Sequence, residues 1–472
     1  MIKVMAELTS LTIADAAALI EKRELSPIEL TEASLARIEA LNSSLNAFVT
    51  LASELALNAA RKAEAAIAGG AYRGKLHGIP IGHKDLFYTK DLRTTAGSEL
   101  HSAFVPEYNA FSVDRYEDAG VIVLGKTNTH EFAYGPTGEA SKFGPVKNPW
   151  DTDHISGGSS SGSGAAVAAS LCFAATGSDT GGSIRIPSAC CGVVGLKPTY
   201  GLVSRQGVFP LCWSMDTVGP IARTVEDAAI MLQPIALQDP NDAASAHRET
   251  VDYLSDLRTG VRGLRIGIPR HYFYDRAQRE IQDTVLKAVA ELEGLGANVS
   301  EVEIPYIENA AGAALAIYLA EATAYHEEDI AENASKYSEQ VLGFLELGNF
   351  LLAKDYVHAQ QYRTLLGQGL QDVFETVDVL VTPTLPITAP RLGQEVARIN
   401  GEKDSVFGAL LRNTEPFNLT GLPCLAMPCG LSKDGLPISM QITGKAFAEK
   451  TVLRVGQAYE DVAGTRQIRP TL

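Results

Sequence analysis

A chain of 472 residues that is 46% hydrophobic and only 20% charged carries enough apolar side chains for a large packed core, which excludes a disordered or fibrous protein. Its net charge is −16, and no Lys/Arg cluster interrupts that acidity, so a nucleic-acid surface is excluded as well and the surplus carboxylates serve solubility. No apolar run approaches the roughly 20 residues of a membrane helix, and the opening MIKVMAELTS has no signal-peptide core, so the sequence predicts a cytoplasmic protein without membrane contact.

The region to Ala68 is predicted to be helical. Ser26-Pro27-Ile28-Glu29 reads as a capping box with proline in the first turn, and Leu30, Ser34, Ile38 and Leu41 follow at helical spacing. Its apolar face is expected to pack on a sheet, or on a second copy in a homodimer. From Gly74 to about residue 235 strands and helices alternate, which implies an α/β core: GIPIG (78–82) as a short buried strand, a helix around Tyr116, and VIVL (121–124) as another strand.

Lys84 follows GIPIG after one residue, His83. A lysine carried into such surroundings loses hydration, its pKa falls, and it becomes a base; the alternative is a surface lysine paired with Asp85. Gly120 to Thr127 fits the phosphate-loop pattern GxxxxGKT letter for letter. That motif needs an open loop at its variable positions, and Val-Ile-Val-Leu is a strand, so the match is rejected.

The most informative stretch is ISGGSSSGSGAAVAASLCFAATGSDTGGSIR, Ile155 to Arg185. Two Gly/Ser-dense turns flank AAVAASLCFAA, which is too apolar for a flexible linker and must be a buried helix or helix-to-strand passage. In the second turn Gly181-Gly182 precedes Ser183. A diglycine there lets successive N–H groups converge on one anionic oxygen, as an acyl-transfer enzyme requires beside its nucleophile. Ser183 is therefore the candidate nucleophile, although none of the nine histidines lies nearby in sequence to act as its base. Gly158 to Gly162 also satisfies GxSxG, but a nucleophile elbow must follow an apolar strand, and the polar NPWDTDH precedes it here, so Ser160 is set aside.

Residues 239–371 shift in composition. A strand at Leu264–Pro269 is followed by long helices, 276–295, 309–331 and one through Tyr356 and Tyr362. Tyr318, Tyr325, Phe344 and Phe350 are expected in their core. The sheet resumes with VDVLVTPT from Val377, and LPISMQITG (436–444) is a late strand. Six cysteines form no zinc pattern and read as reduced, mostly buried thiols. No repeat or linker divides the chain, so one domain, 1–472, is predicted: N-terminal helices (1–68), a core (74–235), a helical elaboration (239–371) and a return to the sheet (377–472).

These blocks resemble the amidase signature family. Its serine block is matched by GGSSSGS (157–163), its nucleophile block by GSDTGGSIR (177–185) and its lysine block by HKD (83–85); GKTNTHEFAYG (125–135), CGVVGLKPTYGLVSRQGVFP (191–210) and NLTGLPCLAMPCG (418–430) extend the likeness. Lys84 lies 75 positions before Ser159 and Ser159 lies 24 before Ser183, separations like the family's; Ser161 stands where the family commonly has glycine. The resemblance implies an α/β fold with a large twisted mixed sheet covered by helices. It implies Ser183 as nucleophile, Ser159 on a cis peptide bond as the intermediate serine, Lys84 as base, and the N–H groups of Thr180, Gly181, Gly182 and Ser183 as the oxyanion hole. The expected activity is metal- and cofactor-free hydrolysis of a small-molecule amide, anilide or carbamate, as in stand-alone amidases and urethane hydrolases. The amidase subunit of a tRNA-dependent amidotransferase is the alternative. Tyr134, Phe143, Phe209, Trp213 and Phe417 are candidates for an apolar substrate pocket, and Arg185 either grips a carboxylate or pairs with a buried acid.

Overall fold

The computed structural model describes residues 7–472. A short helix, α1 (Ile13–Glu21), leads to α2 (Pro27–Leu45), whose start follows from its sequence: Ser26 Oγ accepts from Ile28 N, and Glu29 accepts the Ser26 N–H at 3.1 Å. The helix ends at Asn46 in the left-handed conformation. The region to Ala68 is helical as expected except at one point, where the β-branched pair Val49-Thr50 lies in a strand, β1 (Phe48–Leu51), antiparallel to residues 125–127, before α3 (Ser53–Ala68) begins.

Strands β2 (Pro80–Lys84) and β3 (Ile122–Thr127) run parallel and are connected through α4 (Phe111–Ala119). The GxxxxGKT match is thus strand, as its composition implied. A small hairpin of β4 (Lys147–Asn148) and β5 (Asp151–Ile155) precedes α5 (Ser161–Ala168), and the apolar stretch then passes from this helix into β6 (Ala174–Asp179), parallel to β2. Because β3, β2 and β6 share one direction, Thr127, Lys84 and Asp179 finish at the same end of the sheet.

The chain continues through α6 (Arg185–Cys191), β7 (Val194–Lys197), β8 (Thr217–Ala222), α7 (Val225–Leu232) and β9 (Arg265–Ile268) to α8 (Arg279–Gly294) and β10 (Asn298–Glu301). Three long helices follow, α9 (Ala310–Asn333), α10 (Glu339–Gly348) and α11 (Ala353–Thr376). The return comprises β11 (Val379–Pro383), a hairpin of β12 (Val396–Ile399) and β13 (Glu402–Ser405), α12 (Val406–Arg412), α13 (Glu415–Leu419), β14 (Cys424–Leu431), β15 (Pro437–Gly444) and α14 (Glu449–Ala463).

Eleven strands form one mixed sheet in the order β1-β3-β2-β6-β8-β7-β14-β15-β11-β9-β10. One apolar cluster, including Ile38, Ala56, Ile122, Val167 and Ala175, packs α2, α3 and α5 onto β3 and β6. In the helical elaboration Tyr318 is buried and Phe344 half-buried, but Tyr325 and Phe350 are 46% and 81% exposed, which corrects their assignment to the core. Tyr325 sits on the outer face of α9, and Phe350 in the turn that follows α10. Five of the six cysteines are buried and all are free thiols. Among the described residues no helix is long and apolar enough to cross a membrane, and no group of three His, Cys, Asp or Glu could hold a metal ion.

Candidate active site

Lys84, the last residue of β2, is completely buried. Its backbone N–H donates to Thr176 Oγ1 at 3.0 Å, and its Nζ lies 2.7 Å from Ser159 Oγ and 2.9 Å from Ser178 Oγ. Asp85 does not pair with it: that carboxylate accepts the N–H and hydroxyl of Thr95 and faces the buried Lys126. Loss of hydration brings the Lys84 amine down to about 7, against the opposing pull of Asp179 and Asp216. At neutral pH a large share of it is therefore uncharged.

Ser159 follows a cis peptide bond from Gly158. Its carbonyl accepts from His130 N at 3.1 Å and Thr129 Oγ1 at 3.0 Å. A Cβ on Gly158 would stand 2.7 Å from Gly138 N and 2.8 Å from Gly135 O, so only glycine fits where the serine turn crosses that strand of backbone. Ser161 opens α5 with its hydroxyl 3.4 Å from Asn128 O, and the helix accommodates it without distortion.

The second turn joins the end of β6 to α6. Asp179 anchors it, accepting from Arg185 Nε at 3.0 Å and Nη2 at 2.9 Å, Ile184 N at 3.1 Å and Asn418 Nδ2 at 2.8 Å. Burial would push this carboxyl up, but the Arg185 charge and these donors carry it down to about 2. Arg185 also donates to Thr414 O, Gln441 Oε1 and Asn418 Oδ1. All five of its donors are thus engaged, and of its two readings the structural pair with a buried acid is the one present. Gly182 has φ of +134°, and a Cβ there would meet Thr414 Oγ1 at 2.4 Å. The N–H groups of Thr180, Gly181, Gly182 and Ser183 have no protein acceptor among the described residues. Ser160 N donates to Ser183 O at 3.2 Å and so ties the two serine turns together. Lys84 and Ser159 are in direct contact; Ser183 joins them through this backbone bond, with no hydrogen bond between the two hydroxyls among the described residues.

Two cavities flank this cluster. One of about 30 Å³ touches Thr180, Gly181 and Ser183 and is walled by Tyr134, Leu211, Tyr318, Phe407 and Leu411. The other, about 390 Å³, reaches Ser178 and Asp216 and is walled by Phe209, Pro210 and Trp213. Of the aromatic candidates, Tyr134 lines the first cavity, and Phe209 and Trp213 line the second. Phe417 reaches neither: it is completely buried and stacked on Phe273 at 5.7 Å, because its helix α13 turns it into the core. Phe143 instead lies under Arg93, 5.5 Å from its ring centroid.

Sequence reasoning missed Ser178, Asp216 and Tyr318. Ser178 had a signal, since residues 176 and 178 of a strand share a face, and Thr176 and Ser178 hold the two nitrogens of Lys84. Asp216, raised to about 6 by burial, accepts from Thr180 Oγ1 at 2.6 Å and from Leu211 N at 2.9 Å. Tyr318, whose hydroxyl donates to Glu415 Oε1, comes from α9, 135 positions from Ser183, where no local pattern marks it.

A family model described as Amidase matches residues 29–453. An amidase of Pseudomonas putida is 43% identical over 470 residues, 99% of each chain. A glutamyl-tRNA(Gln) amidotransferase subunit from Myxococcus xanthus is 41% identical over 479 residues, 96% of this chain and 97% of the other. Among solved structures, a chain from a vestigial protein complex bearing on the origins of an s-triazine catabolic enzyme superposes with a TM-score of 0.92 at 32% identity, covering 96% of this chain and 98% of that one.

Proposed function

The chain belongs to the amidase signature family, and from that premise we propose that it is a stand-alone hydrolase of carbon–nitrogen acyl bonds in neutral, apolar amides, anilides or carbamates. The observation that carries this reading is a buried amine, brought to about 7, whose Nζ lies 2.7 Å from the hydroxyl of Ser159, in a site where four N–H groups of the second serine turn have no acceptor among the described residues.

In the proposed route neutral Lys84 takes the proton of Ser159 as Ser159 takes that of Ser183. Ser183 Oγ bonds to the carbonyl carbon, and the N–H groups of Thr180 to Ser183 receive the oxyanion. Collapse of the tetrahedral species breaks the C–N bond; the proton on Lys84 returns through Ser159 to the departing nitrogen, and the amine leaves. Water then attacks the acyl-enzyme by the same relay, releasing the acid and restoring Ser183. Proton transfer and the acyl-enzyme carry the whole reaction, so the route calls for no metal or cofactor.

The similarity to the amidotransferase chain favours a second reading, release of ammonia from glutamine within a complex. Glutamine carries a charged amine and carboxylate that a site must answer. The cavity at Ser183 has no charged side chain except through Tyr318 to Glu415, and Arg205 and Asp242 at the larger cavity answer each other at 3.1 Å. Neutral substrates fit this lining better. Turnover of aryl amides, anilides, carbamates and glutamine by wild type and Ser183→Ala tests both: loss of about 10⁴-fold or more in kcat on the neutral substrates is expected. Retained turnover in Ser183→Ala overturns the mechanism, and turnover of glutamine alone selects the second reading.

A further inference from the structure

The cavity at Ser183 measures about 30 Å³, whereas a single water needs roughly 10–15 Å³ by the same measure, so most acyl groups enter only if part of its wall gives way. Two sides are fixed: Thr180, Gly181 and Ser183 belong to the turn that Asp179 and Arg185 anchor, and the Tyr318 hydroxyl is bonded to Glu415. The third side is Ala133 and Tyr134 together with Phe407 of α12. Behind it stands Phe344 of α10, its ring stacked 5.3 Å from that of Tyr134 and 5.0 Å from that of Phe407. Phe344 and Phe407 are both half-buried, so this layer of rings separates the cavity from solvent.

The turn that carries Ala133 and Tyr134 has an uncommon backbone. Phe132 and Ala133 have φ of +49° and +61°, in the left-handed region that residues with side chains enter only where their surroundings require it. Glu131 supplies part of that requirement. It is 2% exposed, and its carboxyl holds two separate pieces of chain: one oxygen accepts from Ser98 Oγ at 2.7 Å, the other from the N–H of Ser338 at 2.8 Å. Ser338 is the residue from which α10 starts, so Glu131 sits at the positive end of that helix and satisfies an N–H that the helix itself cannot. Toward its other end α10 is held by Thr323 of α9, whose hydroxyl donates to Leu345 O at 2.7 Å. One buried carboxyl thus joins the turn in the cavity wall to the helix whose ring backs that wall. Resting on the hydrolase reading above, we infer that Glu131 is a positioning residue: through Ser338 it latches α10 over the cavity at Ser183 and so sets how large an acyl group the serine accepts. It touches no reacting atom, and the chemical step is unchanged. Without the latch, Phe344 withdraws and Tyr134 follows it outward, while the oxyanion turn keeps its own anchors.

Ser338 offers a test that spares Glu131. Its φ of −63° and ψ of 147° already suit proline, and Tyr337 before it, at −88° and 150°, has the extended backbone that a following proline requires. Ser338→Pro removes the N–H that Glu131 receives, and Glu131→Ala removes the acceptor. Ser338→Ala deletes only the hydroxyl that caps α10, and Glu131→Gln keeps an acceptor for Ser338 N and a donor for Ser98 Oγ. Wild type and the four variants are compared on 4-nitrophenyl acetate, butyrate, hexanoate and octanoate, activated esters that report acyl acceptance by Ser183 whatever amine it prefers to release, with Ser183→Ala as background. Amide hydrogen exchange is followed over residues 132–136 and 339–348. Ser338→Pro and Glu131→Ala are expected to raise the ratio of kcat/KM on octanoate to that on acetate on the order of tenfold, chiefly through KM for octanoate. Exchange should quicken on the order of tenfold in both segments together. Ser338→Ala and Glu131→Gln are expected to keep the wild-type ratio and exchange. A general loss of stability would lower all four esters alike. An unchanged acyl ratio in both latch variants, or exchange that quickens in α10 while 132–136 stays as in wild type, overturns the latch and leaves the hydrolase reading standing. Absence of Ser183-dependent turnover on all four esters overturns both.

Discussion

The amine of Lys84 links rate and stability to pH through one number. Burial brings it to about 7, so the fraction able to accept a proton grows as pH climbs through that value, and kcat/KM for a chemistry-limited amide should rise between pH 6 and 8 and level above. A profile flat from pH 6 to 9 removes Lys84 as base. Lys84→Arg should be inactive across the range, because a guanidinium does not deprotonate there. Stability follows the same depression. Between about 7 and the ordinary lysine value near 10.4 the unfolded chain holds a proton at this position that the folded chain lacks, so folding strengthens as pH rises through that window. Denaturant midpoints of wild type should accordingly gain on those of Lys84→Met between pH 7 and 9.5. Arg185 makes a different prediction. It compensates a completely buried carboxylate, and Arg185→Ala would leave Asp179 unpaired, so a loss of about 3–5 kcal/mol is expected by chemical denaturation.

The turn between β6 and α6 depends on one backbone shape. Gly182→Ala places a methyl against Thr414 Oγ1 at a φ where side chains are strained, so the cradle must shift; kcat should fall about 10²–10³-fold, as when an oxyanion donor is lost, with KM less affected. By contrast Ser26→Ala, at the start of α2, should cost about 1 kcal/mol of stability and leave kcat unchanged. Elements whose signal is local were legible in the sequence for a physical reason. The capping box, the apolar passage from α5 to β6 and the diglycine turn each encode their shape within a dozen residues. Four-residue β1 was not legible, since its strand character depends on pairing with β3, some 75 positions later. The cavity walls were legible only in part, because a ring such as Phe417 or Tyr318 reads alike whether its helix turns it into the core or onto the substrate.

Across the whole molecule, the helical elaboration is fastened to the reacting centre. Glu321 of α9 accepts from Ser214 N at 3.0 Å and Cys212 Sγ at 3.1 Å, and Arg363 of α11 donates to Ser214 O at 2.9 Å. The segment 211–216 that divides the two cavities is thus held from a layer more than a hundred positions away in sequence. Glu321→Ala removes the acceptor of Ser214 N, Cys212 Sγ and the Tyr356 hydroxyl, so it should loosen that partition and raise KM on the order of tenfold, with a fall in melting temperature because each charge-assisted hydrogen bond is worth about 1.5–3 kcal/mol. A variant with unaltered KM would show the segment to be rigid on its own.

The great sheet terminates in β1 on one side and β10 on the other, each four residues long. Val49 O on the first is already taken by Arg93 at 2.8 Å, and Glu301 on the second is engaged by Arg270. Neither border offers the long, bare row of amides that an incoming chain needs for templated growth. Eleven strands can therefore coexist in one crowded protein without inviting fibrils from their margins.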